Sequence, residues 1–114
     1  VSGLIGGHNL AAYNASKGAV RLLTKSVALH CSRQGYNIRC NSVHPTFIDT
    51  PMVRSMIDSA DDPARVEQKL ARQVPLGHIG EPDDIAWGIV YLASNESRHV
   101  TGAEMMVDFG GSIV

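Results

Sequence analysis

Apolar and polar positions along this chain alternate with two periods, and together they predict four helices and two short strands. From about Leu10 to Gln34, apolar and small residues return every three or four positions at Ala12, Ala15, Ala19, Leu22, Leu23, Ser26 and Val27, the spacing of one helical face. Asn9 is placed to cap this helix and Gly35 to stop it. The small side chains of the stripe let a second helix approach closely, so the face suits either core or a subunit interface. Asn37 to Val43 alternates and runs into His44-Pro45, which predicts a strand whose C-terminal end opens onto a loop. Between Thr46 and Gly80, proline follows Thr50 and Asp62 at the first position of two further helices. The mixture there of Met52, Val53, Met56 and Ile57 with charged residues suits a mobile flap over a ligand. A fourth helix begins at Glu81-Pro82, carries Asp83 and Asp84 in its first turn, and is expected to bury Ile85, Ile89, Val90 and Leu92. After a turn-rich stretch from Ser94 to Gly102, Ala103 to Val107 is the last strand. This order predicts an α/β fold with a right-handed parallel crossover, in which ligands gather beyond the C-terminal ends of the strands.

Composition narrows the function classes. At 114 residues, 44% apolar and 18% charged, the chain has the make-up of one ordinary globular domain. A net charge of −1 offers no electrostatic footprint for nucleic acid or an anionic membrane, and no apolar run approaches the ~20 residues of a membrane span. Cys31 and Cys40 read as reduced thiols, and with no signal peptide ahead of the first helix the expected compartment is the cytoplasm. His8, His30, His44, His78 and His99 lack metal-ligand spacing, so no metal is expected. Asp108-Phe109-Gly110 has no kinase-like motifs around it and reads as the turn after the last strand. Gly3-Leu4-Ile5-Gly6-Gly7 follows no strand and is read as a loop rather than a phosphate cradle.

The chemistry is concentrated in Tyr13-Asn14-Ala15-Ser16-Lys17. Residues four apart share a helical face, so a phenol and an ammonium lie side by side. A free tyrosine titrates at ~10, and acid/base work near neutrality needs a shift of ~2–3 units, or ~3–4 kcal/mol. An exposed helical pair contributes only ~0.2–0.5 kcal/mol, so the pair needs a cleft and a second positive charge to act. The spacing alone arises by chance in roughly one such sequence in ten.

Four ordered blocks make chance a poor explanation: Ala12 to Ala19, Ile38 to Pro45, Gly80 to Ala86, and Thr101-Gly102 to Val107-Asp108. On these blocks the chain resembles the C-terminal half of a short-chain dehydrogenase/reductase. Its Cys31 to Pro45 segment looks closest to bacterial hydroxysteroid and cyclic-alcohol dehydrogenases.

The resemblance implies the C-terminal part of a Rossmann-like, doubly wound parallel sheet, residues 1–114 forming the catalytic portion of a single domain whose dinucleotide-binding half lies outside this chain. It implies NAD(H) or NADP(H), with NAD slightly favoured, and a small secondary alcohol or ketone as substrate. Tyr13 would be the general acid/base and Lys17 the ribose anchor that favours the phenolate. In the family's Pro-Gly-x-Val/Ile-x-Thr pattern, Pro45, the backbone of Ile48 and Thr50 carry over as nicotinamide contacts, while Thr46 replaces the glycine. His78 stands where many relatives have arginine. Phe47, Met52 and Met56 are expected to meet the substrate. The family's substrate-orienting serine would fall just ahead of Val1, Ser2 being two positions too late, and its relay asparagine lies further upstream. Family helices equivalent to the first one join subunits, which favours a homo-oligomer. A 3-oxoacyl thioester reductase of the same family and a non-catalytic oligomerisation module are the rival readings; the isolated fragment is expected to be inactive.

Overall fold

Proline opens three of the four helices in the computed structural model, which describes residues 1–114. The helices are α1 (Ala11–Gln34), α2 (Pro51–Asp58), α3 (Pro63–Arg72) and α4 (Pro82–Ala93), and the strands are β1 (Ser42–Pro45) and β2 (Glu104–Val107). The fixed φ of proline suits the first helical position, where its missing N–H costs nothing. Thr50 caps α2 by accepting from the Val53 amide, and Asp62 caps α3 through the Arg65 amide at 3.1 Å. At the start of α4 the Asp84 carboxylate accepts the Glu81 amide at 2.8 Å. Helix α1 departs from expectation at its start: Leu10, not Asn9, is the capping residue, and it makes no side-chain cap. It ends as expected, because Gly35 adopts φ +68° and its amide and that of Tyr36 close onto the Ser32 and Cys31 carbonyls.

β1 and β2 pair in parallel, Ser42 opposite Glu104 through Pro45 opposite Val107, with α2, α3 and α4 in the crossover. β1 is shorter than the alternation predicts. Residues 37–40 are held by side-chain bonds instead of a strand ladder: the Arg39 guanidinium donates to the carbonyls of Leu92, Ser94 and Val100, capping the C-terminal end of α4. Asn41 donates to the Val100 carbonyl and accepts the Ala103 amide, and Gly102 N–H donates to the Cys40 carbonyl at 2.7 Å. The second and fourth sequence blocks are thus one clasp.

Only 12 of the 114 residues are buried, and the deepest apolar side chains lie where a flap was expected: Ile57 is 1% exposed and Val74 2%. The α2–α3 segment therefore has a small core of its own. Of the two readings of the α1 stripe, core or subunit interface, core is not what the fold shows: Leu22 and Leu23 are more than 60% exposed, and the face turned inward is Thr24, Ala28 and Cys31. On α4, Ile89 and Val90 are exposed and Ile85 and Leu92 half-buried. These apolar faces have no partner within residues 1–114. No helix is long and apolar enough to cross a membrane.

Candidate active site

The first turns of α1 carry Tyr13 and Lys17, and the Lys17 ammonium lies 5.2 Å from the centre of the Tyr13 ring. Both are exposed, Tyr13 by 45%. The loop before the helix is tied to it by Asn14, whose Nδ2 donates to the Ile5 carbonyl at 2.9 Å, while its Oδ1 is buried without a partner. Gly3 crosses so close that a Cβ there would sit 2.8 Å from the Lys17 carbonyl oxygen and 3.4 Å from the His44 ring. The Lys17 turn therefore lies over the C-terminal end of β1. His44 is buried with Nε2 at 2.8 Å from Ser42 Oγ, and burial holds its imidazole below its ordinary pKa.

Beyond that strand end, Pro45 to Thr50 is braced from two sides. Ile48 bridges Gly80 in parallel: Asp49 N–H donates to the Gly80 carbonyl at 2.8 Å, and Gly80 N–H to the Phe47 carbonyl at 2.9 Å. In such a bridge the bonds run through the neighbours of Ile48, so its own N–H and C=O are left free of chain partners. Gly80 makes the approach possible, since a Cβ on it would fall 2.7 Å from Ile48 Cδ1. On the other side, a Cβ on Gly111 would lie 3.4 Å from Thr46 Oγ1. Thr46 has no positive φ, so the glycine of the family pattern is not demanded by backbone conformation here. Thr50 Oγ1 accepts the Val53 amide at 3.5 Å, which leaves its O–H free to donate.

Helix α2 turns Ile57 inward and leaves Met52 and Met56 outside, 77% and 47% exposed, with Phe47 half-buried at its foot. Its orientation is set by Arg54, which is bidentate to Asp49 at 2.5 and 2.6 Å and reaches Glu67 of α3 at 3.1 Å. The guanidinium hydrogen bonds hold the Asp49 carboxyl below its ordinary value.

Sequence reasoning left three residues of this region without a role. His78 packs its ring 4.8 Å from that of Phe109 and joins the brace behind Gly80. Asp108 closes the turn after β2. Burial alone would raise its carboxyl, but the Ser112 hydroxyl and the Gly110 and Ser112 amides outweigh this and lower it. Glu104, at the start of β2, holds both Arg21 and Lys25 of α1. An acidic residue opening a strand was the only sequence signal for it.

The unpaired Lys17 ammonium beside a phenol, and the unpaired amide and carbonyl of the buried Ile48 at the same strand end, are groups that could hold the ribose and carboxamide of a nicotinamide nucleotide.

The family model described as enoyl-(acyl carrier protein) reductase matches residues 1–112. The NADP-dependent (R)-specific alcohol dehydrogenase of Lentilactobacillus kefiri is 50% identical over 112 residues, covering 96% of this chain and 42% of that protein. The cyclopentanol dehydrogenase of Comamonas sp. (strain NCIMB 9872) is 42% identical over 110 residues, with 96% and 42% covered. A solved short chain dehydrogenase family protein from Francisella tularensis subsp. tularensis SCHU S4 superposes with a TM-score of 0.92 at 30% identity, covering 99% of this chain and 48% of that one. The chain thus spans less than half the length of these relatives. Ordered motifs, parallel topology and matched length together show that it belongs to the short-chain dehydrogenase/reductase family.

Proposed function

We propose that the protein carrying this chain is an NAD(P)-dependent oxidoreductase interconverting a secondary alcohol and a ketone, with a hydroxysteroid or alicyclic alcohol as substrate. The observation that carries the reading is the unpaired Lys17 ammonium 5.2 Å from the Tyr13 ring, beyond the C-terminal end of a parallel strand. The bound nicotinamide supplies the hydride acceptor or donor. Tyr13 passes the proton between the substrate oxygen and solvent, and Lys17 holds the ribose hydroxyls beside it. Pro45, the free backbone groups of Ile48 and the Thr50 hydroxyl hold the carboxamide, and Phe47, Met52 and Met56 line the apolar side of the substrate. The family resemblance slightly favours NAD(H), whereas the relative at 50% identity is named for NADP, so both belong in the assay. The open stripe of α1 is the face for further copies of the chain, and the cytoplasm is the expected compartment.

The test is nicotinamide absorbance during turnover by the full-length protein, with each cofactor, against hydroxysteroids, alicyclic alcohols and a 3-oxoacyl thioester. Ring alcohols are expected to react, and Tyr13→Phe to slow them by about 10²–10⁴-fold. Activity on the thioester alone would favour the acyl-thioester reading that the family model's description raises. Silence throughout, or a Tyr13→Phe variant as fast as its parent, would count against the roles of Tyr13 and Lys17.

A further inference from the structure

Tyr13, Lys17, Arg21 and Lys25 follow one another at four-residue spacing along α1. A phenol and three cations therefore occupy one row at successive turns, about 6 Å apart along the axis. Like charges at this spacing repel, so the row needs a partner. Glu104 supplies it. Its Oε1 lies 2.8 Å from Arg21 Nε and 2.5 Å from Lys25 Nζ, and its side chain is only 12% exposed. No other ion pair reaches the row, and Lys17 has none. Opposite Glu104 in the strand register is Ser42, whose hydroxyl meets His44 beneath the Gly3–Lys17 crossing. The carboxylate thus anchors the helix at the same sheet face over which its reactive turn lies.

We propose that Glu104 is a positioning residue of the active site: by drawing Arg21 and Lys25 onto β2 it fixes the roll of α1 and leaves Lys17 as the one unpaired cation beside Tyr13. The kinetic consequence rests on the dehydrogenase reading above; the effect on Lys17 does not. An apolar contact in place of Glu104 would hold α1 near the sheet but leave its rotation free, because burial is non-directional, whereas one carboxylate oxygen drawing two cations from successive turns selects which side of the helix faces β2.

The experiment compares full-length wild type, Glu104→Gln and Glu104→Asp, with Glu96→Gln as a control at an exposed position. Turnover is followed alongside ¹³C resonances of reductively methylated lysines, with Lys17 and Lys25 assigned by substitution. In Glu104→Gln, kcat is expected to fall about tenfold with KM values within about twofold, Glu104→Asp to recover most of the loss, and the Lys17 resonance to move together with that of Lys25. An unmoved Lys17 resonance overturns the proposal whatever the kinetics. A moved resonance with unchanged kcat, or a kcat loss that tracks melting temperature and is not recovered by aspartate, also overturns it by confining Glu104 to a structural role. If no substrate is turned over by the wild type, the dehydrogenase reading fails and the Lys17 resonance alone decides the place of Glu104. Should Glu104→Gln not fold, Lys25→Gln carries the same test with the Lys17 resonance and kcat read as before, since that lysine is 43% exposed and its replacement leaves no buried charge on α1.

Discussion

The two faces of the small sheet are built by opposite means. Toward α4, Met105 and Val107 pack against Gly88, where a Cβ would lie 3.1 Å from Met105 Sδ and 3.6 Å from Val107 Cγ2, and Val43 shares a groove with Ile89 and Leu92. Toward α1, Ser42, His44 and Glu104 meet Arg21, Lys25 and the Gly3–Lys17 crossing, while Met106 on the same face is left exposed. Apolar packing sets how near a helix lies but tolerates small rotations; hydrogen bonds and ion pairs set which residues point where. The helix with the reactive pair lies on the directional face, and the helix that only supports the crossover lies on the apolar one, dry in its side-chain contacts although no residue of α4 is fully buried.

The largest effect that could break this contrast is on the α1 side. Lys17→Met removes the unpaired cation of the row, and turnover by the full-length protein is expected to fall about 10²-fold or more, with little change in melting because the residue is exposed. Equal losses of activity and stability would show that the polar face merely holds the fold. On the dry side the expectation reverses. Gly88→Val forces a side chain against Met105 and should cost about 1–3 kcal/mol of stability in denaturant melts. The kcat of the folded fraction should stay as it was. Arg39→Met comes next: it strips two carbonyls at the end of α4 and that of Val100 of a charged donor, for about 1–2 kcal/mol by the same melts.

The contrast also explains what could be read beforehand. Helix starts at Pro51, Pro63 and Pro82 and the stop at Gly35 are local signals, decided by φ and a missing N–H, and they stand where expected. Tyr13 and Lys17 were legible because four residues make one turn. The inward face of α1 was not, since the spacing reports which side is apolar and not what meets it, leaving core and subunit interface both open; here the sheet offers Glu104 to Arg21 and Lys25 while Leu22 and Leu23 lie open. Residues 37–40 misled for a related reason: their alternation is that of a strand, yet Arg39 and Cys40 are held by partners some 60 positions away that no local pattern reports.

The smallest effect tests whether the polar face is held by charge or by shape. Lys25, and then Arg21, hold the Glu104 carboxyl at about 2 against an ordinary value of 4.5. Because the folded value is the lower one, the resulting stability is present above the unfolded value and drains away as pH falls from about 4.5 to about 2. Asp49 and Asp108 are lowered as well and act in the same direction, so wild type melts lower in acid whatever Glu104 does. The informative quantity is the difference in melting temperature between wild type and Glu104→Gln. That gap should be widest above pH 4.5 and close toward pH 2, where a protonated glutamic acid and a glutamine present the same neutral group to both cations. A gap that stays constant across the window would mean that glutamine disrupts the site by shape alone, and the distinction between a directional and a dry face would lose its electrostatic half.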